Sequence, residues 1–422
     1  MKRTKKHLLT GGLLLGALAA PAFALADSTP TAAAAATPAP TPTPVPWYGK
    51  LTVGGYVDEY YQFSLNRPAD SSASSVQPLQ YRAFDTTTNQ FTFGGGELTL
   101  KQGDTASNTG YFVDLLLGPL ANLYNVDGST LDSVEIGQAY VTQVFGNATF
   151  TLGKFGTPIG NEVTYLPSNA NFSRSLLFYN EPLYETGLRL DYALPGSLVV
   201  SGFVDNGNSV DNVVNSGKDW GAIIAYSGVK GLSLTGTYYL NPANTLGGAT
   251  VGTDATGDIA NIDWFNLVAA YTATDSLSFT GEYLLKDYIQ PVVPTGTKAF
   301  SPKQQGYALY ATYTMGSFTV SPRFEQWFNP DFGSSTGVNA INLTPAQAAH
   351  AGIVSGTAPY QLDDITVTLK YAMGPLSHIL EYRADASDRY EFLTGNVPNG
   401  AGQTATWSQV QNTITYAAVY SF

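Results

Sequence analysis

The segment DWFNLVAAYTATDSLSFTGEYLLK, residues 263–286, alternates apolar and polar side chains on both sides of a short polar turn. In its second half, every other residue from Leu277 is large and apolar or glycine, and most residues between them are polar. Successive side chains of a strand point to opposite faces, so this period of two predicts strands with one apolar and one polar face. The turn between the two halves predicts an antiparallel hairpin.

The same pattern recurs along the chain, with large apolar residues six positions apart, such as Phe265 and Tyr271. Six residues of a tilted strand rise about 15 Å, which fits an apolar band about 25 Å tall edged by aromatic girdles. A soluble β-sandwich also alternates, but it gives no reason for strand after strand to end in an outward tyrosine. The tyrosines that end descending strands before short turns predict a periplasmic girdle of Tyr192, Tyr226, Tyr271, Tyr313 and Tyr371.

Connection lengths predict the topology, because long and short connections alternate strictly between the strands. This predicts an all-β, transmembrane, antiparallel up-and-down β-barrel with long extracellular loops and short periplasmic turns. Sixteen strands fit best, although 14 or 18 stay open because the first five strands are less regular. The predicted strands are 51–63, 90–101, 110–118, 135–143, 148–155, 186–194, 198–205, 219–226, 232–240, 263–271, 277–286, 305–313, 318–327, 364–371, 376–385 and 411–422.

Both ends of the chain carry export signals. Four basic residues precede an apolar stretch from Leu8 to about Ala20, which predicts a signal peptide over residues 1–26. Residues 27–46 are rich in Ala, Pro and Thr and predict a disordered tether, so the barrel would span 47–422. The last strand ends with Tyr420 and Phe422 and resembles the terminal strand of bacterial outer-membrane proteins, which the barrel-assembly machinery recognises.

Composition excludes several functions. Only 12% of residues are charged and the net charge is −12, which argues against a nucleic-acid partner. Cysteine is absent, so the chain has no disulfides, thiolate metal sites or cysteine nucleophiles. Two histidines remain after signal removal, His350 in a long loop and His378 on a strand. The side chains of His378 and the preceding Ser377 would face opposite sides of that strand, so they cannot form a catalytic dyad. We therefore expect no enzyme, no metal and no cofactor, and a solvated Asp363-Asp364 pair at a loop end.

Four segments resemble one family, the OmpL-like β-barrel porins. They are GGYVDEYY at 54–61, GKFGTPIGNE at 153–162, NANFSRSLLF at 169–178 and GLRLDY at 187–192. The resemblance extends over the chain from about Trp47 and implies a pore in the bacterial outer membrane, without indicating a solute.

A passive diffusion channel for small hydrophilic solutes and ions is the leading functional hypothesis. A structural or adhesive barrel with a blocked lumen is the main alternative, and a barrel enzyme is a weaker one. The expected partners are outer-membrane lipid, the barrel-assembly machinery, small hydrophilic solutes and, in one arrangement, two further copies in a homotrimer.

The loop 156–185 contains Phe172, Leu176, Leu177 and Phe178, which have little reason to face water. By fold-level analogy with the third loop of general porins, we predict that it folds into the barrel mouth and narrows it. The alternative is a surface loop that caps the rim or meets a neighbouring subunit. Glu162 and Arg174 in this loop would then have the largest influence on selectivity, because water screens least where the passage is narrowest.

Residues on the polar face of regular strands are predicted to line the lumen. The acids are Asp58, Glu97, Asp114, Asp191, Asp205, Glu282, Glu325, Glu381 and Asp385, and the bases are Lys101, Arg189, Lys286, Arg323, Lys370 and Arg383. Opposite charges two apart on one strand predict ladders on the wall: Arg189 with Asp191, Arg323 with Glu325, and Glu381 with Arg383 and Asp385. The acidic excess predicts a weak cation preference, although the pairs could merely neutralise and rigidify the wall. Lys154 shares the parity of Phe150 and Leu152 and is expected to face lipid unless it snorkels.

Overall fold

Sixteen strands, each antiparallel to its neighbours, form one closed barrel, which confirms the predicted fold class and strand number. The computed structural model describes residues 50–68, 79–104, 107–124, 134–209, 211, 217–241, 245–246, 249–250, 261–289, 303–329, 360–388, 390, 392–395 and 406–422. The predicted signal peptide, nearly all of the region before the first strand, and His350 lie outside these residues. The barrel strands are β1 Thr52–Ser64, β2 Phe91–Asp104, β3 Thr109–Leu117, β4 Val134–Phe145, β5 Ala148–Gly156, β6 Tyr184–Leu194, β7 Leu198–Asp205, β8 Asp219–Tyr226, β9 Leu232–Asn241, β10 Asn261–Thr274, β11 Leu277–Ile289, β12 Lys303–Met315, β13 Phe318–Asn329, β14 Tyr360–Met373, β15 Leu376–Ser387 and β16 Val410–Ser421.

The barrel closes by pairing β1 with β16. The register runs from Tyr56 opposite Ser421 to Ser64 opposite Thr413. At the end of this seam, Gly55 and Phe422 exchange backbone N–H···O hydrogen bonds of 3.0 Å in both directions. The first and last strands are therefore joined by a regular antiparallel ladder, so neither leaves an unpaired edge.

Alternation along the strands separates a buried lumen side from an exposed outer side. On β16, for example, Thr413 and Thr415 are buried, whereas Ile414 and Tyr416 are exposed. The five predicted girdle tyrosines all lie within the last few residues of β6, β8, β10, β12 and β14, beside short turns. Four of them, Tyr192, Tyr271, Tyr313 and Tyr371, are exposed on the outer side.

Elements beyond the barrel occupy its long connections. A short helix, α1 (Pro119–Tyr124), follows β3, and Leu120, Ala121 and Tyr124 are buried on it. Two small antiparallel strand pairs lie outside the barrel, residues 245–246 with 249–250 and residues 392–394 with 406–408. None of the helices among the described residues has the length and apolarity needed to cross a membrane.

Lys154 on β5 does not face lipid, which corrects the sequence expectation. The preceding Gly153 has φ +133°, a conformation that other residues rarely adopt, so the regular alternation of β5 does not continue past it. The Lys154 ammonium lies 3.0 Å from an Asp211 carboxylate oxygen and 3.8 Å from the centroid of the Tyr184 ring. Tyr184 belongs to an apolar cluster inside the lumen, so Lys154 is neutralised there and sits on an aromatic face.

Candidate functional site

The loop between β5 and β6, residues 157–183, lies inside the barrel and is called the constriction loop below. Its apolar side chains join two buried clusters. Leu176 and Leu177 belong to a cluster with Trp264 of β10, whereas Phe172 belongs to one with Tyr60 of β1. Burial of these side chains removes apolar surface from water and explains why so apolar a segment is stable between two strands. The contacts agree with the inward position predicted for this loop.

Carboxylates of the barrel wall hold the constriction loop by its backbone. Glu381 of β15 accepts the N–H of Phe172 at 2.7 Å and that of Ser173 at 3.0 Å. Glu325 of β13 accepts the N–H of Leu176 at 2.7 Å. These contacts give buried loop N–H groups acceptors on the wall and so hold the loop against β13 and β15.

Arg323 of β13 is the centre of the charged contacts between the wall and the loop. Its guanidinium donates to Glu162 of the loop at 3.0 Å and to the Ser173 carbonyl at 2.7 Å. It also lies 2.7 Å from a Glu325 oxygen and 3.3 Å from an Asp364 oxygen. The Arg323 side chain is fully buried, so each of these partners offsets part of a large desolvation cost.

The charged network continues across the wall through Arg383 of β15. Its Nε lies 2.8 Å from Asp364 and 2.7 Å from Asp385, and its Nη1 donates to the Arg174 carbonyl at 2.6 Å. Asp364 is completely buried, which corrects the expectation that the Asp363-Asp364 pair is solvated. Asp364 lies on β14 rather than in a loop, and its side chain faces the lumen.

Two sequence-predicted partners differ from the expected ladder. Arg383 pairs with Asp385 and Asp364, whereas Glu381 binds the constriction loop and the Thr368 hydroxyl. The predicted pair of Glu381 with Arg383 is absent from the described contacts, because Glu381 accepts hydrogen bonds from two loop amides instead. The other two ladders have the expected partners, with 2.6 Å between Arg189 and Asp191 and 2.7 Å between Arg323 and Glu325.

A second loop also enters the lumen, and sequence reasoning missed it. Arg82, in the connection between β1 and β2, pairs with Asp85 at 2.9 Å and with Asp385 of the wall at 2.9 Å. Tyr81 and Phe84 flank this arginine, and Tyr81 is buried. The signal was the same one that identified the constriction loop, namely aromatic residues in a segment between two strands.

The side of the lumen formed by β1 to β4 carries acids without ion pairs. Asp58, Glu97 and Asp114 are buried there, and none has a salt-bridge partner among the described residues. Asp114 accepts hydrogen bonds from the backbone and side chain of Gln138. One oxygen of Glu97 has no hydrogen-bond partner within the described part of the chain. Asp58, Glu97 and Asp114 thus form one group of lumen acids without a basic partner in the described part of the chain.

Arg174 faces this acidic sector from the constriction loop. Its guanidinium donates to the carbonyls of Val163, Phe172 and Thr164 at 2.7–3.0 Å. It also stacks over Phe84, with 5.2 Å to the ring centroid. Arg174 therefore joins two internal segments of the loop, residues 163–164 and 172–174, and it has no ion pair with a carboxylate among the described residues.

A cavity of about 20 Å³ remains between the constriction loop and β1. About 10–15 Å³ on this measure holds one water molecule, so the space is water-sized. The residues that border it include Tyr56, Asp58, Tyr60, Phe84, Phe172 and Arg174. The cavity combines aromatic walls with two acids, Asp58 and Asp85, and one base, Arg174.

Three further carboxyl groups converge on one hydroxyl at another point of the wall. The Tyr239 hydroxyl lies 3.0–3.1 Å from Glu185, Asp205 and Asp219. Nowhere in the described chain do three or more His, Cys, Asp or Glu residues have an arrangement that could hold a metal ion. The cluster brings polar side chains of β6, β7, β8 and β9 together on the wall.

A closed sixteen-strand barrel with an inward-folded loop and charged residues on its inner wall defines a porin-type β-barrel. The chain matches the family described as Putative beta-barrel porin-2, OmpL-like, over residues 50–422. It belongs to this family, which confirms the resemblance, and both family and fold are those of outer-membrane porins. No curated protein matches the chain.

Solved structures of outer-membrane proteins share the fold. The outer membrane channel DcaP of Acinetobacter baumannii is 14% identical with a TM-score of 0.56, covering 88% of this chain and 97% of that one. An anion-selective porin from Comamonas acidovorans is 11% identical with a TM-score of 0.53, covering 88% and 99%. The trimer form of OmpT from Vibrio cholerae is 10% identical with a TM-score of 0.50, covering 88% and 99%. At such identities the likeness concerns the fold alone.

Proposed function

We propose that the protein is a passive diffusion channel for small hydrophilic solutes and ions, with a weak preference for cations. The observation that carries this proposal is the constriction loop, bound inside a closed barrel and bordering a water-sized gap beside β1. A lumen lined with charged and polar groups stabilises water and small polar solutes, which the apolar outer band excludes.

The proposed cation preference rests on where the unpaired charges lie. Arg323 and Arg383 contact four acids, Glu162, Glu325, Asp364 and Asp385, so acids outnumber bases in this network as well. Asp58, Glu97 and Asp114 line the opposite sector, where Arg174 supplies a positive charge from the loop. An acidic excess at the narrowest point attracts cations, because water screens poorly in a confined space.

Single-channel recording in planar bilayers tests the proposal. The purified barrel should conduct, and deletion of residues 169–178 should raise the conductance, because this segment fills the lumen. A reversal potential in a salt gradient should indicate weak cation preference. If the deletion leaves the conductance unchanged, the loop does not narrow the channel. Clear anion selectivity would contradict the proposed cation preference.

A structural or adhesive barrel with a blocked lumen is a second candidate, favoured by the small size of the gap. A reversible lock separates the two functions. Asn171 donates to the Thr368 hydroxyl at 2.7 Å, and the chain has no native cysteine, so Asn171→Cys with Thr368→Cys should form a single disulfide between loop and wall. A channel should conduct less when oxidised and regain conductance on reduction, whereas a blocked barrel should be silent in both states.

The assembly is proposed as a homotrimer that is exported with removal of residues 1–26, inserted by the barrel-assembly machinery and surrounded by outer-membrane lipid. Exposed apolar residues such as Val141, Phe145 and Leu152 on β4 and β5 supply an outer surface for lipid or for a neighbouring copy. Chemical cross-linking in outer-membrane vesicles should give a ladder that ends at three copies, and N-terminal sequencing should begin at Asp27.

A further inference from the structure

One carboxyl group of the constriction loop is buried against the wall without a donor. Neither carboxyl oxygen of Glu181 is accessible to solvent, and neither has a hydrogen-bond partner among the described residues. The wall group that it meets is another carboxyl, that of Glu282 on β11. Two carboxylates side by side in a water-excluded site repel each other and lose hydration, so such a pair retains one proton.

The charged groups that face Glu181 come from three elements. Besides Glu282 they are Glu162 of the loop and Glu325 of β13. Both of these acids lie against the guanidinium of Arg323, at 3.0 Å and 2.7 Å. Burial, followed by repulsion from Glu282, raises the pKa of Glu181 well above its ordinary value.

Glu282 also holds the other end of the constriction loop. It accepts the backbone N–H of Asn161 at 3.3 Å and the amide of Asn266 at 2.9 Å. Glu181 packs directly on Gly160, where a Cβ would lie 1.9 Å from its carboxyl oxygen. Both stems of the loop therefore meet at one wall residue.

We propose that Glu181 and Glu282 share one proton and form a latch that fastens both stems of the constriction loop to β11. Loss of that proton to solvent leaves two adjacent carboxylates, whose repulsion releases the loop and widens the channel. The inference rests on the proposed channel function and adds a regulation of the same constriction by pH.

The direction of the effect follows from linkage. A released loop returns Glu181 to water, where a glutamate has a pKa of about 4.3. The closed form binds the proton more tightly than the open form, because its pKa is raised. The closed form thus loses stability relative to the open form as the pH rises from the pKa of Glu181 in the open form to its raised pKa in the closed form.

Conductance at pH 5 and pH 9 tests the latch in the full chain. The unmodified channel should conduct more at pH 9, by at least about twofold if the loop equilibrium shifts as linkage requires. Glu181→Gln supplies a permanent N–H donor to Glu282 and should abolish this rise while conductance stays low. Glu135→Gln, at a half-exposed position that accepts the Ile136 N–H, should behave as the unmodified channel.

A labelling experiment separates failure of the latch from failure of the channel. Ser173→Cys places the only thiol of the chain at a buried loop position. At pH 9 a thiol reagent should modify Ser173→Cys faster than it modifies the double variant Ser173→Cys with Glu181→Gln. Both proteins are labelled at the same pH, so the reactivity of the thiol itself does not differ between them. Equal labelling rates together with an equal pH response of conductance would overturn the latch. Unequal rates in a silent barrel would support the latch and reject the channel.

Discussion

The two sides of the lumen use their charged residues in different ways. On the β13 to β15 side, Arg323 and Arg383 are surrounded by acids, and this side holds the constriction loop by its backbone. On the β1 to β4 side, the loop contacts are largely aromatic, as between Tyr60 and Phe172, whose ring centroids are 5.5 Å apart. One side therefore anchors the loop, and the other borders the remaining gap.

This difference shows that a count of lumen charges is a poor guide to selectivity. The acidic residues of the anchoring side contact arginines and loop amides. Asp58, Glu97 and Asp114 have no basic partner among the described residues, and Asp58 borders the gap together with Arg174. The proposed cation preference is therefore expected to depend on where an acid lies as well as on how many acids line the wall.

Removal of Arg323 should have the largest effect, because it lies at the centre of the anchoring side. Arg323→Ala leaves Glu162, Glu325 and Asp364 buried near one another without their cation, and loss of one member of a buried pair costs about 3–5 kcal/mol. The barrel should lose its heat-resistant mobility on gels at a clearly lower temperature, and conductance should rise. Arg189→Ala removes an ion pair with only one acid and should lower this temperature less. An equal fall in temperature for the two variants would contradict the central role of Arg323.

Neutralisation of the unpaired acids should change selectivity with little effect on stability. Asp58→Asn combined with Glu97→Gln should move the reversal potential in a salt gradient toward anions, because Asp58 borders the gap and neither acid has a basic partner among the described residues. The control is Asp363→Asn, an acid that binds Gln326 and Gln361 away from the lumen-facing ladder. If Asp363→Asn shifts the reversal potential by a comparable amount, the acids of the β1 to β4 side are not the source of the selectivity.

Replacement of Arg174 should act on both selectivity and loop position. Arg174→Ala should increase cation preference, because the positive charge opposite Asp58 is lost, and it should loosen the loop, because three carbonyls lose their donor. Arg174→Lys keeps the charge but cannot reproduce the three hydrogen bonds, so it should loosen the loop without increasing cation preference. If both variants give the same reversal potential, the charge of Arg174 has no influence on permeation.

The smallest expected effect comes from the aromatic side. Tyr60→Phe removes a hydrogen bond of 2.8 Å between its hydroxyl and Thr87, which is worth about 0.5–1.5 kcal/mol. The heat-modification temperature should fall slightly, with conductance unchanged. Tyr61→Phe, on the outer side of the same strand, should leave both unchanged. A large loss from Tyr60→Phe would place the anchoring function on this side as well.

The strands could be predicted because alternation is a local property of the sequence, readable at Leu277 to Leu285 without any partner. The inward loop could be predicted because Phe172 and Leu177 need apolar surroundings. Partner choice could not, because it depends on which groups meet across the lumen, as when loop amides occupy Glu381. Lys154 was misplaced for another reason, since the backbone conformation of Gly153 interrupts alternation in a way that residue types do not encode.

The hydrogen bonds that join Gly55 to Phe422 also bear on the order of folding. Hairpins such as β10 with β11 link neighbours in sequence and can form early, whereas β1 and β16 lie at opposite ends of the barrel sequence, so their contact has the greatest loop-closure cost. Ring closure is therefore expected to be the late, slow step. Until then both terminal strands present unsatisfied edges, and the lumen cannot yet be sealed around its loop. A factor that shields those two edges would therefore determine whether β1 pairs with β16 of the same chain or with a strand of another chain.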